Sequence, residues 1–274
     1  MKVLFDCDYV TEDGVAVVRC FYKSKNGDWV VEESRDFKPY FYALPIGDAG
    51  ELVEELGELS AVESTEVLRL RDVSGSLDVV KVVTSHPGKV PDLRELVGEL
   101  VSCREVREAD IPFHRRFMID RQLEPMRDVE LLDPNIAAID IEVFSEAGVI
   151  DAKRNPVNMV SYSDSRGNRR LLVYGAETRV AHECVSYVDS EKELLEGIGE
   201  WMGEFDADFI IGYNTDNFDF PYLRERADRL GVKLVLGVDE SNVRLKQAGM
   251  NKEAHVVGRQ HIDLYPVCRR LFNL

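Results

Sequence analysis

The sequence predicts an α/β protein of two domains, an α+β unit over residues 1–131 followed by a mixed sheet flanked by helices over 132–274. Length is one reason: 274 residues suffice for two domains of ordinary size, each able to bury a core. Turn chemistry is the second, since Asp13-Gly14 and Asn26-Gly27 separate short apolar runs near the start. The third is the order after Ile136, which reads as four strands, a helix, a strand and another helix.

In the first domain the pattern predicts strands over 3–5, 15–22 and 29–31, a helix over 51–59, and strands near 67–70 and 79–84. A second helix is expected over 91–103. Asp92 is placed to cap it, Glu95 follows three residues on, and Leu93, Leu96, Val97, Leu100 and Val101 mark one apolar face. Residues 124–134, from Glu124-Pro to Asp133-Pro134, read as the linker.

The second domain opens with a strand over 136–144, followed by strands over 157–163, 169–174 and 184–188. Ser190 with Glu193 three residues later forms a capping box, and the helix it starts turns Leu194, Leu195, Ile198, Trp201 and Met202 inward. A short apolar run over 209–213 ends in Asn214-Thr-Asp-Asn turn chemistry. Pro221 suits the first turn of the next helix, where Leu223, Ala227 and Leu230 share a face and Gly231 ends the run.

Two segments carry chemistry. On a strand with period two, Ala138, Asp140, Glu142 and Phe144 share one face of the 136–144 run, so two carboxylates point the same way from an otherwise apolar strand. Like charges in that setting repel and lose hydration, a cost of about several kcal/mol unless something neutralises them. A divalent cation does so, and hard oxygen ligands suit Mg²⁺ or Mn²⁺, ions that drive phosphodiester chemistry. Asp219 is placed at a helix N-terminus, where the dipole is expected to keep its carboxylate ionised and free to reach a metal.

Asp140-Ile-Glu142 followed by Asn214-x3-Phe218-Asp219 resembles the first and second exonuclease motifs of family B DNA polymerases. Further segments resemble the archaeal branch in the family's order: Asp6-Cys-Asp-Tyr9-Val-Thr-Glu, Lys38-Pro-Tyr-Phe-Tyr-Ala-Leu44, Asp110-Ile-Pro-Phe113 and Gly258-Arg-Gln-His-Ile-Asp-Leu-Tyr265. The resemblance spans essentially the whole chain and implies a ribonuclease H-like fold for residues 132–274. It also implies 3′-5′ proofreading by two-metal hydrolysis. Asp140 would bind both Mg²⁺ or Mn²⁺ ions, Glu142 would hold the nucleophile-side ion and orient the water, and Asp219 would support the second ion. Asn214 and Phe218 would shape the pocket for the 3′ end, and Phe144 would pack on its terminal base. The family's hairpin beside the editing site falls over 238–253, with Arg244, Lys246 and Lys252.

The family's third exonuclease motif, Tyr-x3-Asp, and its palm, fingers and thumb are not in this sequence. The exonuclease domain is therefore expected to be incomplete at its C-terminus, with weak activity alone and a C-terminal polymerase fragment or subunit as partner. Leu264, Val267, Leu271 and Phe272 are expected on the surface that meets it. In the first domain the resemblance implies a template-reading pocket for deaminated bases, with Tyr9, Pro39, Tyr40, Pro87, Val90, Pro91, Arg94 and Phe113 at the corresponding positions. Prolines would fix backbone groups against a uracil edge, rings would pack its faces, and tight walls would exclude the methyl group of thymine.

A formal charge of −17 opposes the basic footprint of a nucleic-acid binder. The densest basic stretch, Arg104, Arg107, His114, Arg115, Arg116, Arg121 and Arg127, reads either as a local DNA contact or as a solvated connection, and weak affinity for single-stranded template or primer DNA is expected of the chain alone. No 18-residue apolar run and no signal-peptide pattern occurs, so a cytoplasmic protein without a membrane partner is expected. Five scattered cysteines without C-x-x-C spacing argue against a disulfide framework or zinc site. The alternative function is a non-catalytic DNA-binding module that recognises deaminated bases, its exonuclease fold serving as scaffold.

Overall fold

The computed structural model describes residues 1–73, 75–145, 148–248 and 251–272. It divides into two compact units that are not continuous in sequence. One comprises Cys7–Phe21 and Val31–Glu124; the other comprises Met1–Asp6, Tyr22–Val30 and Pro125–Leu274.

The chain begins with β1 (Lys2–Glu12), β2 (Val15–Ser24) and β3 (Trp29–Ser34), a three-stranded sheet whose strands each contribute residues to both units. The unit around Val31–Glu124 then adds β4 (Tyr40–Pro45), α1 (Ala49–Gly57), β5 (Val62–Asp72), β6 (Gly75–Thr84), α2 (Val90–Gly98), β7 (Cys103–Arg107) and α3 (Phe113–Asp120). Its four-stranded antiparallel sheet has the order β5-β6-β4-β7. Phe41, Val80 and Val82 of that sheet pack with Leu52, Leu56, Leu93 and Val97 of the helices.

Several elements here depart from the sequence pattern. Asp48, not a residue at 51, starts α1, accepting the Gly50 N–H at 2.9 Å. The second helix starts at Val90 and ends at Gly98, with Asp92 in its first turn and no side-chain cap. Only Leu93 and Val97 of its expected face are fully buried, while Leu96 and Val101 are exposed. Glycine is a poor helix former, and Cys103 to Arg107 leave the helical pattern to pair with β4. The basic stretch read as contact or connection is structured as β7 and α3, and Arg116 within it is buried.

The larger unit contains β8 (Ile136–Val143), β9 (Val157–Asp164), β10 (Arg169–Tyr174), β11 (Val185–Val188), α4 (Glu191–Phe205), β12 (Phe209–Gly212), α5 (Asp219–Leu230), β13 (Arg244–Ala248), β14 (Asn251–His255), β15 (Gln260–Asp263) and α6 (Leu264–Phe272). Six strands form one mixed sheet in the order β11-β10-β9-β8-β12-β15. β8 lies in its interior, antiparallel to β9 and parallel to β12. This is the mixed α/β architecture expected from the strand and helix order. The capping box at Ser190 forms: its hydroxyl accepts the Glu193 N–H at 3.2 Å, while the Glu193 carboxylate accepts the N–H of Asp189 at 3.0 Å. Leu194, Leu195, Ile198, Trp201 and Met202 are buried with Ile139, Ile141, Val160, Phe220 and Leu223.

Glu191 and Arg226, both buried, pair α4 with α5, and Glu191 also accepts the Val157 N–H at 2.9 Å. The first six residues join this unit through specific contacts: Phe5 meets Phe209 edge-on at 5.7 Å, and Asp6 accepts the Gly258 N–H at 2.9 Å. The 238–253 stretch contains the hairpin strands β13 and β14; residues 249 and 250 lie outside the described residues. Val267, Leu271 and Phe272 of α6 are exposed, as expected. No helix among the described residues is long and apolar enough to cross a membrane. No disulfide forms among the described cysteines.

Candidate functional site

Strand alternation places the carboxylates as the sequence predicts. Ala137, Ile139 and Ile141 are buried beneath β8, whereas Asp140 and Glu142 are exposed on its other face. Asp219, the first residue of α5, reaches the same strand: its Oδ1 accepts the backbone N–H of Ile141 at 3.1 Å, the residue between the two acids. Asp219 is only 2% exposed. Burial, with the negative charge of Asp140 adding to it, pushes its carboxyl up to about 6, against the pull of the Ile141 N–H. Burial thus opposes the expected effect of the helix dipole, and one oxygen of the carboxylate is engaged by a backbone N–H rather than standing free.

Three hard oxygen donors, two of them close enough to repel, fit a divalent cation by chemistry. Among the described residues no three His, Cys, Asp or Glu side chains converge into a ready metal cluster. The donor set is thus suitable but open.

The turn that delivers Asp219 starts at Asn214 and is braced by Asp263, His261 and Thr215, to which the sequence assigns no role. Asn214 adopts a left-handed φ of 63°, and its carbonyl accepts the N–H of Phe218 at 3.0 Å. The buried Asp263 carboxylate accepts the backbone N–H groups of Asn214 (2.8 Å), Asp216 (3.1 Å) and Tyr265 (2.8 Å). His261 Nδ1 lies 3.0 Å from the Ala254 carbonyl, which assigns the proton to Nδ1 and leaves Nε2 to accept from the Thr215 hydroxyl at 2.8 Å. Asp263 and His261 belong to the Gly258–Tyr265 motif, so the signal was in the sequence but its purpose was not. Gly212 is required before the turn, since a Cβ there would meet Thr215 Cγ2 at 2.3 Å and the Ile139 carbonyl at 3.0 Å.

Phe218 packs against the core and lies 5.5 Å from the Tyr222 ring. Both line a cleft of about 370 Å³ with Pro221, Lys153 and Lys252. Phe144, just past β8, is 66% exposed, and its N–H donates to Asn158 at 3.0 Å.

Within the other unit, Tyr9, Pro39, Tyr40, Pro87, Val90, Pro91 and Phe113 line a single cavity of about 230 Å³. Arg94, the eighth residue of that expected set, is not among its lining residues. The Tyr9 ring meets Phe113 edge-on at 5.4 Å. The Tyr40 hydroxyl donates to the Asp120 carboxylate at 2.8 Å, and burial together with that bond pushes the Tyr40 phenol up. Arg116, which the sequence reading placed only in a basic stretch, also lines the cavity. Its guanidinium lies over the Tyr40 ring at 4.9 Å and pairs with Glu108 at 2.5 Å, while its buried Nε has no hydrogen-bond partner among the described residues.

Comparison with known proteins agrees on one family. The sequence profile of the DNA polymerase family B exonuclease domain matches residues 127–274. A DNA polymerase of Pyrococcus horikoshii is 36% identical over 99% of this chain and 22% of its own length. DNA polymerase 1 of Pyrococcus abyssi is 36% identical over 99% of this chain and 35% of its own length. The solved structure of the family B DNA polymerase from Pyrobaculum calidifontis superposes with a TM-score of 0.83 at 29% identity, covering 99% of this chain and 38% of that one. The chain therefore spans between 16% and 38% of the length of these and similar relatives.

Proposed function

Since this chain belongs to the family B DNA polymerases through their exonuclease domain, we propose that it is the N-terminal portion of such a polymerase, contributing a 3′-5′ proofreading site. In this reading residues 132–274 are the exonuclease domain, and the template-reading domain within residues 1–131 is the unit of Cys7–Phe21 and Val31–Glu124. The observation that carries it is the Ile141 N–H bond to Asp219, which joins the acid of α5 to the strand bearing Asp140 and Glu142.

Asp140, Glu142 and Asp219 would hold Mg²⁺ or Mn²⁺, two ions once the site is complete. When bound, such ions polarise the scissile phosphodiester and stabilise charge on the leaving 3′-oxygen. The chain's own residues do the rest. The Ile141 N–H and the Asp263-braced turn hold Asp219 in place before substrate arrives. Phe144, Asn214 and Phe218 would receive the 3′-terminal nucleotide by stacking and shape. The partners are single-stranded DNA, as template and primer 3′ end, and the C-terminal polymerase part. Release of 3′-terminal nucleotides from single-stranded DNA, in the presence of that part, tests the reading. Loss of release in Asp140→Ala supports it, and unchanged release in that variant overturns it.

A second reading, a non-catalytic module that binds deaminated bases, is favoured by one observation: seven of the eight expected pocket residues line one cavity. The two readings share the pocket and differ in whether Asp140 matters for hydrolysis.

A further inference from the structure

We propose that His86 is a positioning residue that sets the width of the base cavity, and with it the preference for uracil over thymine. The proposal rests on the reading of that cavity as a uracil pocket. Three of the lining residues, Pro87, Val90 and Pro91, lie on the segment immediately after His86. Tyr9 lines the cavity from β1, and Thr11 lies two residues further along the same strand, on the same face.

His86 joins the two. Its Nδ1 accepts the Gly88 N–H at 3.1 Å, capping the short 3₁₀ turn Pro87–Lys89, and its Nε2 lies 3.0 Å from the Thr11 hydroxyl. An Nδ1 that accepts a backbone N–H carries no proton, so the ring is the neutral tautomer and Nε2–H donates to Thr11. Both ring nitrogens are used, and each ties a different wall. The Gly88 position adds a constraint: a Cβ there would come within 3.1 Å of His86 Nδ1, so the turn is closed tightly on the ring.

Discrimination against a single methyl group depends on such tightness, because one methyl in a loose pocket changes binding little. Prolines fix local backbone angles but do not fix the distance between two elements; the imidazole supplies that distance.

The two bonds separate by substitution. Asn presents an acceptor near the Nδ1 position and keeps the Gly88 cap, whereas Gln reaches toward Thr11 and loses the cap. The test is fluorescence anisotropy of the full chain at low salt, with a single-stranded oligonucleotide carrying one deoxyuridine and the same oligonucleotide carrying thymidine. The ratio of the two dissociation constants is read for wild type, His86→Ala, His86→Gln, His86→Asn and Thr11→Val, with thermal melts as a folding control.

Wild type is expected to prefer deoxyuridine. His86→Ala and His86→Gln are expected to lose about fivefold of that preference, the size of a lost cap. His86→Asn, which keeps the cap but gives up the Thr11 tie, and Thr11→Val, which gives up the same tie, are also expected to lose preference, because either break frees one wall from the other. A change in overall affinity with an unchanged ratio in Ala and Gln would overturn the proposal while leaving the pocket reading intact. No preference in wild type would overturn the pocket reading, and the proposal with it. If the Ala variant does not fold, the Asn and Gln pair decides: a wild-type ratio in either contradicts the role, because each variant cuts one of the two ties.

Discussion

The backbone N–H of Ile141 donates to Asp219 across 78 residues of sequence, at 3.1 Å, and so fixes a buried carboxylate beside a strand that carries two more. Burial, with the negative charge of Asp140 adding to it, pushes the Asp219 carboxyl up to about 6. Removing water from one acid and placing another nearby costs stability that a packing-only design would not incur. Such a cost makes Asp219 a candidate for the chemistry proposed above.

Gly212 sets how closely the Asn214 turn approaches β8. Gly212→Ala forces a contact with Thr215 Cγ2 and the Ile139 carbonyl, and is expected to destabilise the chain by about 1–3 kcal/mol. Urea unfolding measures this. The companion variant Thr215→Ser removes the methyl group that clashes and should recover part of the loss.

The Glu191–Arg226 pair links the two helices behind the site, and both partners are buried. Arg226→Met leaves Glu191 charged among apolar neighbours and is expected to cost about 3–5 kcal/mol. The double variant Glu191→Leu with Arg226→Met should recover part of that, because an apolar pair removes the uncompensated charge while the Val157 N–H loses its acceptor. Equal losses in the single and double variants would contradict this account.

Acid stability follows from Asp206. Burial raises its carboxyl, but hydrogen bonds from Lys23 and Trp29 and the charge of Arg259 outweigh burial and hold it below the ordinary value. Lys23 Nζ lies 2.5 Å away and Arg259 Nη1 lies 2.9 Å away. A depressed folded-state value stabilises fully above the unfolded value, about 4, and that contribution disappears as pH falls through the folded value. Urea midpoints should therefore drop steeply below about pH 4. Asp206→Asn should flatten that limb and cost about 1–2 kcal/mol at pH 7, a figure reduced by the 38% exposure of the Asp206 side chain and by Asp208, which still pairs with Lys23 at 2.9 Å.

Val90 lines the base cavity. Val90→Gln puts a longer polar side chain into about 230 Å³ of space and is expected to abolish the preference for deoxyuridine over thymidine in single-stranded DNA, with the melting temperature little changed. Retained preference would mean that the base is read elsewhere.

The parts of this molecule that were legible in its sequence are those governed by local period. Asp140 and Glu142 could be placed on one face because β8 alternates over eight residues, and α4 because Ser190 and Glu193 announce its start. The burial of Asp219 could not be read locally, since it comes from a strand 78 residues away. The same limit hid α3: its basic residues look solvated in sequence, yet Arg116 is turned inward over Tyr40. β4 and β7 were missed for another reason. Tyr40–Pro45 and Cys103–Arg107 are short, and what defines them is their pairing to each other and to β6 rather than any alternation of their own. The union of Met1–Asp6 and Tyr22–Val30 with the later unit leaves no linear signal, because β1 and β2 run on without a break where one unit gives way to the other. Arg94 was grouped with the pocket by motif position, but it is not among the residues that line the cavity.

The most direct test of the proofreading account is release of 3′-terminal nucleotides from single-stranded DNA with Mg²⁺ or Mn²⁺, comparing the chain alone, the chain with the C-terminal polymerase part, and the same mixture carrying Asp140→Ala. The account predicts little release by the chain alone, release in the mixture, and a loss on the order of 10² or more with Asp140→Ala. Equal release by the mixture with and without Asp140 would contradict it.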